Sequence, residues 1–210
     1  MGRFRLPWQA ITHQVITHFH LDHVHDLPAL FFSLKYGRAA PRSEPLTVIG
    51  PKGLEAILWG FVGLYRMRIL DQEFPVAFRE IEPPAEIDLG NDVRLRAIRV
   101  PHTPESLAIR MEAGGRSLGY TGDTAPSEDL VRFFQGIDLL LAECSFVGEK
   151  HDTPHLNAEE VSVLASAAHA KHLVAVHSYF DPEAERLTER LARRFDGRIT
   201  VPRDGETLDV

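Results

Sequence analysis

The chain has 210 residues, 44% of them hydrophobic and 25% charged, a globular composition that excludes disordered, collagen-like and coiled-coil chains. The longest uncharged apolar run, residues 56–65, is shorter than the ~20 residues that a membrane span needs. The net charge of −7 gives the protein no overall attraction for nucleic acid. The single cysteine, Cys144, fits a reducing compartment. We therefore expect a cytoplasmic protein that makes no contact with membranes.

Short strands alternate with helices along the first part of the chain. The apolar periodicity there predicts a strand at 14–17, a histidine-rich loop, a helix at 26–36, a strand at 46–49, a helix at about 52–70 and a strand at 76–82.

The second part repeats this alternation. We predict strands at 93–100, 106–112 and 116–121, a helix from the cap Ser127 to Gly136, a strand at 138–142, a helix beginning at the capping box Asn157–Glu160, a strand at 173–176, a helix starting at Asp181-Pro182 and a strand at 199–201. No repeat or linker interrupts the pattern, so we expect one α/β domain over residues 1–210. In such folds ligands bind at the carboxyl ends of strands.

The strongest functional signal is the segment THFHLDH at residues 17–23. It places four candidate metal ligands, His18, His20, Asp22 and His23, directly after a predicted strand. Neutral imidazoles and carboxylates are the ligands that a pair of divalent ions requires. The alternative, a surface loop that happens to hold histidines, does not explain this dense order.

Three further ionisable residues follow later strands. His102 comes after the strand at 93–100, Asp123 lies in the segment YTGDT, and His177 follows LVAV. Each of them alone would more often be structural or solvated. Together with the first loop they favour a metal centre.

The motifs THFHLDH, PH, YTGDT and LVAVH resemble those of the metallo-β-lactamase superfamily, in the same order. The resemblance implies a four-layer αββα sandwich with two divalent ions at one edge, zinc first, with manganese or iron as alternatives. His18, His20 and His102 would then bind the first ion, Asp22, His23 and His177 the second, and Asp123 both. The ions would activate a water or hydroxide between them, which Asp22 would help to orient.

Within this superfamily the chain is most similar to the ribonuclease Z-like branch, through residues 23–28 and the segment PLTVIGPKGL at 45–54. His155, in HLNAEE, matches the histidine that helps to protonate the leaving group in that branch. The alternative is that His155 is a surface residue beside a helix cap. His151 is the alternative acid. Glu143 would orient His155 or a ligand histidine, or else is a surface acid. Cys144 is expected to be a small buried residue.

Two departures weaken an assignment to transfer-RNA processing. Relatives of that kind carry a long RNA-binding arm between the third histidine and the bridging aspartate, whereas only 21 positions separate His102 from Asp123 here. The segment after His177 also lacks the Ser-Arg-Tyr sequence that those relatives have there. We therefore expect a phosphodiesterase for small substrates. The alternatives are an endoribonuclease that processes tRNA 3′ ends, a lactone or thioester hydrolase, and an inactive metal-binding fragment.

The metal loop begins at His18, earlier than in similar proteins, which usually place several strands before it. We expect the first sheet to be incomplete at its N-terminus. Unpaired strand edges would then favour a homodimer.

Overall fold

A computed structural model describes residue 4 and residues 6–37, 41–150, 153–179 and 184–210. Contacts divide the chain into two compact units, residues 1–82 and residues 83–210. The predicted single domain of 1–210 stays a prediction. No helix within these described ranges is both long and apolar enough to cross a membrane.

The first unit is a three-stranded parallel sheet with helical crossovers. Its strands lie in the order β1-β2-β3. They are β1 (His13–Val15), β2 (Leu46–Pro51) and β3 (Val76–Ile81), and the helices are α1 (Leu21–Val24), α2 (Asp26–Tyr36) and α3 (Leu54–Tyr65), after a short 3-10 helix at Trp8–Ala10.

Helix α2 has the predicted limits, and its buried stripe explains why it forms. Leu27, Leu30, Phe31 and Leu34 recur at helical spacing and are all buried in the core of this unit. Burial of this apolar stripe fixes the helix that follows the histidine-rich loop.

The second unit is a seven-stranded mixed sheet in the order β10-β9-β8-β7-β6-β5-β4. Its strands are β4 (Ala85–Asp88), β5 (Arg94–Arg99), β6 (Leu107–Ala113), β7 (Arg116–Tyr120), β8 (Leu139–Glu143), β9 (His172–Val176) and β10 (Arg198–Thr200), and its helices are α4 (Glu128–Phe133), α5 (Ala158–Ala167) and α6 (Ala184–Leu191). The capping box at Asn157 and Glu160 is present as predicted.

The direction of these strands determines where the functional residues lie. Strands β5 and β7 both run antiparallel to β6, and β7, β8 and β9 run parallel to one another. The carboxyl ends of β5, β7, β8 and β9 therefore meet at one edge of the sheet. The residues after these four ends come from distant parts of the sequence.

Three element predictions need correction. Helix α3 ends at Tyr65, not near Leu70, because Arg66 adopts a left-handed backbone (φ 52°). Strand β4 was not predicted, and residues 21–24, expected in a loop, form the helical turn α1. The predicted helix start at Asp181-Pro182 lies outside the described residues.

Asp138, just before β8, bonds to Ser117 of β7 and to Lys171, just before β9. These contacts make the free energy of unfolding depend on pH. Oδ2 of Asp138 accepts hydrogen bonds from the Ser117 N–H and hydroxyl, both at 2.8 Å, and its Oδ1 lies 2.7 Å from Lys171 Nζ. The Lys171 hydrogen bond is the main cause that lowers the pKa of Asp138 to about 2. A carboxyl whose pKa is lower in the folded state adds stability above its unfolded pKa.

We therefore expect Asp138→Asn to lower the free energy of unfolding at pH 7 by about 1–2 kcal/mol, a figure reduced for the exposure of Lys171. The difference from the wild type should shrink as the pH falls from about 4 to about 2, where Asp138 itself becomes protonated. Urea unfolding across this range measures both effects, with the exposed Asp129→Asn as the matched control. An equal loss at pH 7 and pH 2 would contradict this electrostatic origin.

Candidate metal centre

The first unit gathers three of the expected histidines after β1. The His23 N–H donates to the His20 carbonyl at 3.0 Å, so the first turn of α1 folds His23 back toward the preceding loop. The ring of His18 lies 4.8 Å from that of His20 and 4.1 Å from that of His23, between centroids. His18 is fully buried, and its Nδ1 lies 3.1 Å from the hydroxyl oxygen of Thr17. This hydrogen bond engages Nδ1, so Nε2 is the candidate ligand atom of this ring.

Asp22 and His23 lie side by side on α1. The Asp22 carboxylate oxygen Oδ2 is 3.3 Å from His23 Nε2, and Asp22 is exposed whereas His23 is half-buried. A helical turn, not the predicted loop, therefore holds this pair of candidate ligands. All four ligands expected from the first motif lie in one short segment.

In the second unit Asp123 is the common neighbour of three histidines. It follows β7 and is 2% exposed. Its Oδ2 lies 3.8 Å from His102 Nε2, 3.5 Å from His177 Nε2 and 3.9 Å from His155 Nδ1. Strands β5, β7 and β9 bring His102, Asp123 and His177 to the same edge of the sheet, and the loop after β8 brings His155 there. One carboxylate thus faces imidazole nitrogens from three separate loops.

The other ring nitrogens of His102 and His177 are held by hydrogen bonds. Nδ1 of His102 donates to the carbonyl oxygen of Pro154 at 3.1 Å, and Nδ1 of His177 lies 3.1 Å from the Ser145 hydroxyl. A bond of this kind fixes the tautomer of a metal-binding histidine and presents Nε2 as the ligand atom. Both Nε2 atoms are the ones that face Asp123.

His177 also has an unusual backbone. Its φ of +57° lies in the left-handed region, which is uncommon for a residue with a Cβ. Such strain persists where the surrounding structure imposes it, and it is concentrated at functional sites. The backbone at His177 therefore agrees with a functional position for this side chain.

Glu143 and His155 form a buried hydrogen-bonded pair. Glu143, at the end of β8, is fully buried, and its Oε1 lies 3.0 Å from Nδ1 of His155, which is 6% exposed. The sequence left open that Glu143 and His155 are surface residues, and the burial of both side chains contradicts that alternative. The second alternative for the acid, His151, lies outside the described residues.

The Glu143 carboxylate accepts several other hydrogen bonds. Its Oε1 accepts from the Thr124 N–H at 2.7 Å, and its Oε2 accepts from the Ser145 hydroxyl at 2.6 Å and the Leu156 N–H at 3.2 Å. These donors come from the loops after β7 and β8. Glu143 therefore fixes both the loop of Asp123 and the loop of His155.

Sequence reasoning missed Ser145 and Tyr179. Ser145 links Glu143 to His177, and the Tyr179 hydroxyl lies 2.9 Å from Nε2 of His155. Neither belongs to a recognisable motif, and only the folding of the loops after β8 and β9 brings them to the site. The one signal available was their position, within two residues of Glu143 and His177.

Cys144 is not part of this chemistry. It is fully buried, and burial raises the pKa of its thiol to about 12, which keeps it from forming a thiolate. His25, beside the first motif, is exposed and hydrogen-bonded to the hydroxyl of Tyr65 at 3.0 Å. The burial of Cys144 agrees with the small buried residue expected from the sequence.

The donor set in each unit fits divalent metal ions. One ligand atom each from Asp123, His155 and His177 lie within 4.8 Å of one another, and the first unit groups imidazoles with a carboxylate. Nitrogen and oxygen donors of this kind suit zinc, iron or manganese. A buried carboxylate such as that of Asp123 is also stabilised by a bound cation.

A family model for the beta-lactamase superfamily domain matches residues 4–178. The chain belongs to this superfamily. The ribonuclease Z of Natronomonas pharaonis is 25% identical in an alignment 257 positions long that covers 96% of this chain and 82% of that protein.

Solved structures agree on the fold. The metallo-beta-lactamase fold protein YhfI of Bacillus subtilis superposes with a TM-score of 0.74 at 20% identity, over 93% of this chain and 76% of that one. The human short-form tRNase Z superposes with a TM-score of 0.72 at 22% identity, over 84% and 76% of the two chains. The predicted metallo-β-lactamase fold and the position near the ribonuclease Z branch are confirmed, and the protein is a hydrolase of this superfamily.

Proposed function

We propose that the protein is a divalent-metal-dependent phosphodiesterase of the ribonuclease Z-like branch. The observation that carries the proposal is the buried Glu143–His155 pair, which lies beside Asp123 at the ligand-bearing edge of the seven-stranded sheet. A metal centre alone would serve many hydrolases, whereas an added histidine held by a carboxylate suits a reaction whose leaving group needs a proton.

The proposed ligands follow the superfamily pattern. His18, His20 and His102 would hold one ion, Asp22, His23 and His177 the other, and Asp123 both. The tautomers fixed at His102 and His177 by Pro154 and Ser145 support their part in this assignment. We propose zinc as the resident metal.

Bound divalent ions supply an activated water and neutralise charge on the phosphoryl oxygens. The side chains of the chain itself perform the remaining tasks. Asp22, exposed on α1, would orient the attacking water. His155, aligned by Glu143, would provide the proton that the leaving oxygen needs as the ester bond breaks.

The substrate we favour is a small phosphodiester. Residues 103–122, where an RNA-binding arm would have to lie, are taken up largely by β6 and β7 and their hairpin. The turn is tight, since Gly114 and Gly115 both have positive φ as in a type I′ turn. Transfer-RNA 3′ processing is the second candidate, and the names of the relatives from Natronomonas pharaonis and human favour it. The cytoplasmic location and the homodimer stay predictions.

Metal analysis combined with a substrate panel tests the proposal. We expect close to two zinc ions per chain, and hydrolysis of bis(p-nitrophenyl) phosphate that is lost on chelation and restored by zinc. An unprocessed transfer RNA, a lactone and a thioester complete the panel. Faster cleavage of transfer RNA would favour the second candidate, and turnover of the lactone or thioester alone would overturn the phosphodiesterase. A folded, metal-loaded protein without turnover would point to an inactive metal-binding fragment.

A further inference from the structure

Tyr179 lies at the outer end of the Glu143–His155 pair. It is in the segment after β9, and its hydroxyl is 2.9 Å from Nε2 of His155. Its ring packs against His155, His177 and Phe146, at centroid distances of 5.3, 5.5 and 5.6 Å. These contacts fix the phenol in a defined orientation on the catalytic histidine.

The hydrogen bonds of Glu143 determine which nitrogen of His155 carries a proton. Its carboxylate oxygens already accept from the Thr124 N–H, the Leu156 N–H and the Ser145 hydroxyl. A carboxylate only accepts, so Nδ1 of His155 at 3.0 Å is a donor to it. Nε2 is consequently the only ring atom through which His155 can pass a proton to a substrate.

In this structure the Tyr179 hydroxyl occupies that position. An imidazole nitrogen offers one hydrogen-bond direction in the ring plane, so Tyr179 and a leaving-group oxygen cannot both use Nε2 directly. Burial distinguishes the two groups as well, because His155 is 6% exposed and Tyr179 is 53% exposed. Of the two residues, Tyr179 is therefore the one that a substrate can reach more readily.

We propose that Tyr179 is a catalytic residue, whose hydroxyl passes the proton from His155 to the leaving oxygen. This role rests on the phosphodiesterase function proposed above and adds the group that contacts the substrate.

In the proposed step the bond between phosphorus and the leaving oxygen breaks, and its electron pair stays on that oxygen. The leaving oxygen takes the proton of the Tyr179 hydroxyl while the proton on His155 Nε2 moves to the phenol oxygen. The attacking water gives up one proton to solvent as it forms the new bond to phosphorus, and His155 regains its proton from solvent after the product leaves. Tyr179 gives one proton as it receives another, so it ends the step unchanged and His155 ends it neutral.

The leaving group provides the test. Phenolate is a much stronger base than p-nitrophenolate, so diphenyl phosphate needs the proton and bis(p-nitrophenyl) phosphate does not. We expect Tyr179→Phe to lower kcat for diphenyl phosphate by roughly 100-fold, within the range of general acids. Its kcat for bis(p-nitrophenyl) phosphate, its KM for both esters, its metal content and its Tm should stay at the wild-type values.

Two further variants separate proton transfer from mere orientation. Tyr179→Gln retains a side chain that can hydrogen-bond to His155 Nε2 but cannot pass a proton on, so it should be as slow as Tyr179→Phe. Tyr36→Phe, at an exposed tyrosine of the first unit, is the matched control and should leave both rates unchanged. Combining Tyr179→Phe with His155→Asn should add little to either loss, since residues that act as a unit are not additive.

Retention of the diphenyl phosphate rate by Tyr179→Phe, its recovery in Tyr179→Gln, or an equal loss on both esters would overturn the role of Tyr179 and leave the phosphodiesterase proposal standing. A wild-type protein that is loaded with metal and hydrolyses neither ester would overturn both.

Discussion

Replacing Asp123 by alanine should abolish metal binding and hydrolysis together. The Asp123 carboxylate lies within 4 Å of nitrogens of His102, His155 and His177, so one substitution removes the shared neighbour of three imidazoles. Loss of an outer partner of a metal ligand costs about 10–100-fold in affinity or activity, and loss of a bridging carboxylate should cost more. Zinc content by elemental analysis and turnover of bis(p-nitrophenyl) phosphate measure the two effects.

Thermal unfolding distinguishes a lost ligand from a damaged fold. A ligand that binds only the native state raises its stability, so zinc should raise the Tm of the wild type and not that of Asp123→Ala. Without metal the variant should be at least as stable as the wild type, because it no longer buries a carboxylate. Asp129→Ala, at an exposed aspartate that pairs with Arg132, is the matched control. Normal zinc content in Asp123→Ala would contradict the bridging role.

The candidate ligands could be found from the sequence because each follows a strand. Asp123 after β7 and His177 after β9 are far apart in the chain. The carboxyl ends of parallel strands lie at one edge of a sheet, so the sequence alone predicts that these two residues are neighbours. The distance of 3.5 Å between Asp123 Oδ2 and His177 Nε2 agrees with that expectation. The resemblance to a known family added which ion each ligand would bind.

Two parts of the fold could not be predicted from the sequence, because tertiary contacts override the local conformational preference of the residues. Strand β4 contains Glu86 and Asp88, residues that are rare in strands, yet it forms because Ile87 is buried opposite Leu95 of β5. The end of α3 depends on the left-handed backbone at Arg66, and arginine gives no sign of such a conformation.

Only some of the groups that contact His155 could be anticipated from the sequence. The pairing of His155 with Glu143 was one of the alternatives that the sequence left open, since family resemblance pointed to His155 and the strand end to Glu143. Ser145 and Tyr179 were not anticipated, because their contacts depend on the path of two loops and not on any spacing within one. Contacts between loops are the part of an active site that a single sequence does not encode locally.

Replacing His155 by asparagine should leave the metal in place and lower turnover. The imidazole is hydrogen-bonded to both Glu143 and Tyr179, so its loss interrupts the path of the proton. General acids contribute about 10²–10⁴-fold, and we expect kcat for diphenyl phosphate to fall by that factor with KM little changed. The Glu143 carboxylate keeps its bonds from Thr124 and Leu156, so the free energy of unfolding should fall by only about 1–2 kcal/mol.

The same variant distinguishes an acid from a ligand, since His155 Nδ1 lies 3.9 Å from Asp123 Oδ2 and one ring nitrogen of His155 lies within 4.8 Å of ligand atoms of Asp123 and His177. If His155 binds metal, His155→Asn will lose zinc as well as turnover, and its rate on both phosphate esters will fall equally. If it is the acid, the zinc content will be unchanged and the loss will be confined to diphenyl phosphate. His169→Asn is the matched control, because His169 is exposed and asparagine tolerates its left-handed φ of 51°. The hydrogen bond to Glu143 favours the acid, because a donor nitrogen at Nδ1 cannot bind a metal ion at the same time.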